Sequence, residues 1–364
     1  MRRYGDCYSD VYGTGTLIQA AKKACSSRKN RREVERFQEN RDVLLDRLQQ
    51  SLIDHTYKSS EYRIFQVREN GKVRDVADLP LYPDRICHWA IALAIEDKVC
   101  SKFIDQTHAS RPHHGIHSAV NNIKGYLRKD KRLKYCLKLD VKKFFPSIDK
   151  IVMKRKFRDM FKDRELLIEL DKIIDQYPYP GIAIGNRVSP MFANLYLSEI
   201  DHLMKEKHHV HYYERYMDDI IILGYSKQWL HKMRETIASY LSDISLTLKE
   251  NWQVFPIDSR GIDFVGYRIY TDHVLLRERN KKKLTKACKK IRDKLDDGGR
   301  FTRHDRGTLA SYNGLLKWCD GHHLYQKTIG ETEKKIEEKR IERRIAFAMR
   351  EIFDTRTLGV QHEA

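Results

Sequence analysis

Three acids carry the chemistry that can be read first. In His211–Gly224, HYYERYMDDIIILG, a tyrosine-rich flank and the aliphatic run Ile220, Ile221, Ile222 and Leu223 read as two short strands joined at a tight turn, with Met217 and Asp218 at its tip. Asp218 and Asp219 are thus adjacent carboxylates at the mouth of an apolar strand. Hairpin turns favour Asn-Gly or Asp-Gly, which accept positive φ with little strain. A pair of acids there suffers repulsion and desolvation unless a cation neutralises it, so a merely polar turn needs a further explanation. In Tyr135–Lys150, YCLKLDVKKFFPSIDK, the alternation of Leu137, Leu139 and Val141 reads as another strand, with Asp140 on its opposite face. A lone acid of this kind is ordinarily a strand-end or edge residue. Here, adjacent strands of one antiparallel sheet would bring Asp140 beside Asp218 and Asp219. Such an all-oxygen cluster suits Mg²⁺, which takes one or two protein carboxylates and leaves its other positions to water and phosphate. Two such ions serve in-line phosphoryl transfer.

The elements that must position these acids follow from pattern. Residues 1–30 are tyrosine-rich, basic and weakly patterned, and Arg31–Ile53 places Val34, Phe37, Leu44, Leu45, Leu48 and Leu52 among charges as one amphipathic helix. Tyr57–Pro80 reads as a hairpin, with strands Tyr62–Val67 and Lys72–Ala77 around Glu69-Asn70-Gly71. Lys72 and Arg74 alternate on one of its faces, where they either meet a triphosphate or form an exposed basic strand. Leu81–Val99 is a largely apolar helix, and residues 153–175 are a charged helical region. After Tyr177-Pro178-Tyr179-Pro180-Gly181, Gly185 and Asn186 form a flexible entrance to a helix that Ser189 caps and Pro190 opens, with Phe192, Leu195, Tyr196 and Ile200 at helical spacing. Lys227–Ser242 is amphipathic, its buried stripe Trp229, Met233, Ile237, Tyr240 and Leu241. It closes a ferredoxin-like split βαβ layer with helices on one sheet face and acids on the other. Lys249 is either a general acid for a leaving pyrophosphate or a solvated strand residue. A basic helix, Leu276–Leu295, carries Lys281, Lys282, Lys286 and Lys290, and Asp296-Asp297-Gly298-Gly299 separates it from a second helix, Gly307–Trp318. The tail mixes charge signs at i,i+4 spacing before Ile345, Phe347 and Met349, which fits a partner protein, RNA or self-association.

LDVKKFFPSID, GIAIGNRVSPMFANLYL and YMDD, in that order, resemble the polymerase motifs of reverse transcriptases, with SRGIDFVGYRIY and ASYNGLLKWCDGHHLY as further matching stretches. The likeness runs from about Tyr4 to Gln326 and points to stand-alone bacterial enzymes of the diversity-generating-retroelement kind and to related defence-associated reverse transcriptases. It implies an α+β right-hand polymerase. The expected parts are an N-terminal helical extension (1–56), fingers (57–133), a ferredoxin-like palm (134–272), a helical thumb (273–326) and a helical C-terminal tail (327–364). It implies catalysis by Asp140, Asp218 and Asp219 on two Mg²⁺ ions, with the Val141 carbonyl completing the shell. Arg74 resembles the triphosphate-binding arginine, with Lys72 as second choice. Arg111, in THASRPHHGIHSAV, is placed near the nucleotide or template, shaped by Gly115 and His117. Asp84 and Arg85 resemble a family pair that caps and braces. Phe145 is expected against the sugar of the incoming nucleotide, where a ring excludes a 2′-hydroxyl. Ile184, before Gly185 at the nucleotide, stands where retroviral enzymes carry glutamine, which implies loosened base selection. Ser189, Tyr216 and Met217 are expected at the nucleic acid, Gly266 in a primer-grip hairpin spanning Gly261–Tyr270, and the lysines of the basic helix along a phosphate backbone. Ser189-Pro190 departs from the Ser-Gln of diversity-generating enzymes and matches the form commoner among other bacterial reverse transcriptases.

Composition agrees with a polyanionic partner. Lys plus Arg outnumber Asp plus Glu by 70 to 51 in 364 residues, a formal charge of +19. The implied partners are a structured RNA template, a DNA or RNA primer and dNTPs, with a small basic accessory protein or self-association in addition. Seven cysteines without any Cys-x-x-Cys indicate free thiols of a cytoplasmic protein rather than zinc knuckles or disulfides. No uncharged apolar run is long enough for a membrane span, and MRRYGDCYSDVYG lacks the apolar core of a secretory signal. The expected function is RNA-directed DNA polymerase in a diversity-generating retroelement. The alternatives are a defence-associated anti-phage enzyme with a non-coding RNA template and, from another class, a catalytically silent RNA-binding scaffold. No nuclease or maturase region is expected after the thumb.

Overall fold

A computed structural model describes residues 3–26, 31–69 and 71–359, with Glu69, Lys72 and residues 350–359 followed along the backbone alone. The chain forms two compact units, Met1–Pro256 and Ile257–Ala364. The first begins with α1 (Tyr8–Tyr12), α2 (Thr14–Ser26), α3 (Arg32–Glu39) and α4 (Arg41–Ile53). The weakly patterned start is therefore helical, and α2 buries Leu17, Ala20, Ala21 and Ala24 at helical spacing. The single helix expected over 31–53 breaks at Asn40, whose φ of −125° leaves the helical region. Asparagine's own side chain competes for backbone hydrogen bonds and favours such breaks.

The β1 (Arg63–Glu69) and β2 (Lys72–Asp78) ribbon pairs antiparallel, Arg63 opposite Asp78. A π-type turn over Leu81–Arg85 leads into α5 (Ile86–Cys100), and α6 (Ile116–Lys129) follows. Asp84 is buried and accepts from the Tyr57 hydroxyl (2.8 Å), the Ser59 hydroxyl (2.8 Å) and the Ser60 N–H (3.0 Å). It braces the segment entering the ribbon.

Next come β3 (Tyr135–Asp140), α7 (Phe144–Ser147), α8 (Lys150–Met160), α9 (Arg164–Gln176), α10 (Ser189–His202), β4 (Tyr213–Tyr216), β5 (Asp219–Gly224), α11 (Lys227–Asp243) and β6 (Gln253–Pro256). The charged region 153–175 is two helices, because Asp163 caps the second through the Leu166 N–H (3.1 Å). The other Asp163 oxygen accepts from the N–H groups of Cys7 (2.6 Å) and Tyr8 (2.8 Å), which ties the N-terminal helices to this layer. The sheet runs β4-β5-β3-β6 with every pairing antiparallel, the ferredoxin-like order. Leu137, Leu139, Ile220 and Ile222 point to the helical core, and Lys138, Asp140 and Asp219 to the other face. Burying each aliphatic side chain contributes roughly 1.5–3 kcal/mol. A one-residue slip would exchange these side chains with the acids, so the core fixes the register that aligns Asp140 with Asp219. In α11 the buried stripe is Leu230, Met233, Ile237 and Leu241. Trp229 and Tyr240 lie at its margin, the Tyr240 hydroxyl donating to Glu199 at 2.8 Å.

The second unit contains α12 (Ile257–Arg260), a three-stranded antiparallel sheet of β7 (Ile262–Phe264), β8 (Tyr267–Ile269) and β9 (Val274–Leu276), then α13 (Glu278–Asp296), α14 (Arg303–Leu316), α15 (His322–Tyr325), a π-type turn Gln326–Gly330 and α16 (Glu331–Gly359). Residues 257–272 fall within this second unit. Helix α14 starts earlier than Gly307 because Thr302 and Asp305 form a reciprocal capping box. Among the described residues no helix is long and apolar enough to cross a membrane.

Candidate active site

The turn between β4 and β5 and the end of β3 converge on one spot. Asp140 lies opposite Asp219 in the ladder, and the Asp218 carboxyl sits against Asp140. Burial first, and the Asp140 charge second, push the Asp218 carboxyl up to about 6. Asp140 Oδ1 is buried without a hydrogen-bond donor, while Oδ2 meets the ammonium of Lys249. Lys249 is held there by the backbone: its N–H donates to the Asp140 carbonyl (2.8 Å), Val141 bridges Leu248, and the Lys142 N–H donates to the Thr247 carbonyl (2.8 Å). Lys249 is thus a partner of the first acid rather than a solvated strand residue. Asp219 lies 3.7 Å from the Lys138 ammonium on the same sheet face.

Among the described residues no three His, Cys, Asp or Glu side chains converge as a ready metal cage. Two carboxyls do. A buried carboxylate oxygen lacking a donor, next to a second acid that burial keeps partly protonated, is a place where a cation lowers the free energy. A pair of carboxylates with its remaining positions left to water and phosphate is the donor set Mg²⁺ accepts, so the residues fit the ion. The three expected acids therefore divide into a contacting pair, Asp140 and Asp218, and a flanking Asp219 paired with Lys138.

The nucleotide-site candidates lie on several elements. Arg74 is exposed on β2, opposite Val67, and the Lys72 side chain lies outside the described residues. The segment expected to be a flexible entrance is pinned: the Ile184 carbonyl accepts from the Ala77 N–H at 2.7 Å, and Gly185, at φ +120°, presses so close to β2 that a Cβ would lie 2.6 Å from the Ala77 carbonyl. Asn186 donates to the Tyr62 hydroxyl (2.9 Å) and accepts from the Ser189 N–H (2.7 Å). Val188 bounds α10, Asn186 holds the helix's first N–H from outside it, and Ser189 is buried within the first turn. This corrects the reading of Ser189 as the cap: it is the first helical residue, and it is buried. Phe145 is half-buried, edge-on to buried Phe144 at 5.6 Å, and its carbonyl accepts from the Ile182 N–H at 3.1 Å. Arg111 braces its own loop, donating to the Ile104 carbonyl (2.8 Å) and lying 3.8 Å from Asp105. Tyr216 and Met217 are half-buried at the turn.

In the second unit, Gly266 has φ +96° and its carbonyl accepts from the Arg277 N–H (3.0 Å) and the Asn280 amide (3.2 Å). The close approach it permits is to the start of α13. Lys281, Lys282, Lys286 and Lys290 are exposed on α13, opposite buried Leu284, Cys288, Ile291 and Leu295, and Lys281 lies 3.6 Å from Glu278.

Sequence reading missed the charges beneath the turn. Glu214 and Arg215 sit in β4 and are buried, Glu214 bonded to His108, Tyr126 (2.5 Å) and Asn122 (3.4 Å), and Arg215 to Asp201 of α10. The available signal was two opposite charges inside a short strand, a placement that is costly unless each has a partner.

A ferredoxin-like sheet with two contacting carboxylates on its open face defines the palm of a right-hand polymerase. Residues 66–269, more than half the chain, match the family model of the reverse transcriptase (RNA-dependent DNA polymerase), and the chain belongs to that family. It is 28% identical over 214 residues to the Retron Ec73 reverse transcriptase of Escherichia coli, covering 54% of this chain and 66% of that protein. It is 27% identical over 162 residues to the group II intron-encoded protein LtrA of Lactococcus lactis subsp. cremoris, covering 42% of this chain and 26% of that protein. The chain thus spans about a quarter of the length of the intron-encoded protein. Apo telomerase from Candida tropicalis, truncated from its C-terminal domain, superposes with a TM-score of 0.47 at 14% identity, over 60% of this chain and 55% of that chain.

Proposed function

We propose that this protein is an RNA-directed DNA polymerase that copies a cognate RNA into complementary DNA, joining a primer 3′-hydroxyl to the α-phosphate of a dNTP with release of pyrophosphate. The observation that carries the reading is the contact between Asp140 and Asp218 on the open face of the palm sheet. Two Mg²⁺ ions held there by the two acids would supply activation of the hydroxyl and neutralisation of the phosphate charge. Asp219, paired with Lys138, orients the edge of the site. Lys249, which meets Asp140, would give a proton to the departing pyrophosphate. Arg74 serves the triphosphate and Phe145 the sugar. Such chemistry depends on positioning and charge more than on a side-chain nucleophile.

The RNA partner is supported by the +19 charge and by a groove in the second unit. Arg300, Arg306, Arg340, Arg343 and Arg344 line it with Phe301 and Phe347, around about 870 Å³. Arginines interleaved with rings, the half-buried Phe301 and the exposed Phe347, suit phosphates and unstacked bases together. We place the enzyme in the cytoplasm, as part of a bacterial retroelement. Ile184 favours a diversity-generating element. Ser189-Pro190 and the retron relative favour an enzyme with a dedicated non-coding RNA, such as a defence system.

The test is sequencing of nucleic acids that co-purify with the wild type and with Asp218→Asn from the native host. One RNA enriched with both, and its complementary DNA only with the wild type, is the expected outcome. DNA made by the purified variant would overturn the assignment, and RNA without DNA from either would favour the silent scaffold. Variable repeats in the recovered DNA would identify the diversity-generating setting.

A further inference from the structure

We propose that the buried Arg215–Asp201 pair is a strut that sets the Met217–Asp218 turn, so that Arg215 is a positioning residue for nucleotidyl transfer. The inference rests on the reading of Asp218 as a metal-binding acid.

Both side chains are completely buried. Nε of Arg215 donates to Asp201 Oδ1 (2.7 Å) and Nη2 to Oδ2 (2.5 Å). The same carboxylate oxygens accept from the Tyr213 hydroxyl (2.6 Å) and the Thr107 hydroxyl (2.9 Å), so Asp201 is fully engaged. Nη2 also reaches the Asn194 carbonyl at 3.4 Å, and Nη1 donates to Asn194 Oδ1 (3.1 Å) and to the Met217 carbonyl (3.0 Å). A guanidinium has five N–H donors, and these five contacts use all of them. Asn194 is itself anchored by donating to the Ala109 carbonyl at 2.6 Å. Four contacts thus fix the guanidinium of this β4 residue against α10, and the fifth leads to the turn.

That fifth contact lands where the backbone needs support. Met217 has φ +54°, a left-handed conformation that costs free energy in a residue with a Cβ and persists only where its surroundings hold it. Its carbonyl belongs to the peptide plane that leads into Asp218. Fixing that plane fixes the Asp218 Cα, and with it the carboxyl lying against Asp140. Packing alone does not call for a charge here, since an apolar pair of similar volume is commonly at least as stable as a buried ion pair. Lysine cannot substitute, because one ammonium cannot span Asp201, Asn194 and the Met217 carbonyl as a planar fork does.

The test compares Arg215→Lys, the neutral hydrogen-bonding pair Arg215→Gln with Asp201→Asn, and Tyr8→Phe. Tyr8→Phe removes a buried hydrogen bond to the Leu52 carbonyl in the N-terminal helices and controls for stability alone. Melting temperature, RNA binding, kcat and KM for dNTP, and the Mg²⁺ concentration at half-maximal rate are measured on each folded protein. The strut predicts that both Arg215 variants bind RNA normally but lose at least tenfold in kcat and need several-fold more Mg²⁺, whereas Tyr8→Phe shifts only the melting temperature. If either Arg215 variant folds and keeps wild-type kcat and Mg²⁺ dependence, the proposal is wrong. If neither folds, the pair is purely structural and the proposal is equally wrong. Asp218→Asn, run in parallel, separates the two levels: synthesis by that variant refutes the metal-site reading, whereas an inactive Asp218→Asn beside a fully active Arg215→Lys refutes only the strut.

Discussion

Asp218 is where burial and like charge act on one carboxyl. Held up to about 6 in the folded chain, against an ordinary value near ~4, it keeps a proton between those limits that the unfolded chain has already released. By this group, metal-free stability falls as pH rises through that window and stays lower above it. Asp218→Asn removes the ionisation, so in a chelator the variant should melt higher than the wild type at about pH 7.5 and equally at about pH 4. Thermal scans at the two pH values decide, and a lower melting temperature at the higher pH would contradict the argument. The same sign gives the metal dependence: the Mg²⁺ concentration at half-maximal rate should rise as the medium is acidified below about pH 6, where protons compete for the site. Gly181 is a second residue whose smallness matters. At φ +84° it presses on the Phe145 carbonyl, so Gly181→Ala must displace the Phe145 backbone. With Phe145 read as the sugar contact, discrimination between dNTP and rNTP should fall roughly tenfold, seen as the ratio of the two kcat/KM values. The acids were legible because two of them sit at the mouth of an apolar strand and the third alternates with core residues. The contact of Gly181 with Phe145 was not, since those residues meet only through the fold.

At the scale of elements, capping decides several boundaries. Asn186 closes the N-terminus of α10 and ties it to Tyr62, whereas Ser189 is packed inside the first turn. Asn186→Ala should cost about 1 kcal/mol in urea unfolding, and more than Ser189→Ala, the opposite of the order read from Ser-Pro alone. Strand alternation placed β3 and β5 and their faces without any knowledge of the fold, because period two is a local property of the chain. Helix ends were less legible. Asp163 and the Thr302–Asp305 box start helices through side-chain bonds to backbone N–H groups, and many polar residues are equally eligible for such bonds.

For the whole molecule, charge is the property that reaches furthest. If the arginine groove carries RNA, replacing Arg300, Arg340 and Arg344 with alanine should weaken RNA binding and flatten its dependence on log salt by about 2, at roughly 0.7 per lost phosphate contact. Binding isotherms at several salt concentrations measure that slope, and an unchanged slope would remove the groove from the RNA path. The sequence by itself determined the chemistry: two acids on strands and a third at the turn beside them, an apolar face behind them, a basic surplus and the motifs of a polymerase family, all properties of residue type and short spacing. Only the tertiary structure decided which charges meet. Asp163 with Cys7 and Tyr8, Asp201 with Arg215 and Thr107, and Glu214 with His108 pair across elements, and residues 257–272 fall in the second unit. A buried charge is tolerable only beside its partner, and that partner is chosen by packing among segments far apart in the chain, which no local period encodes.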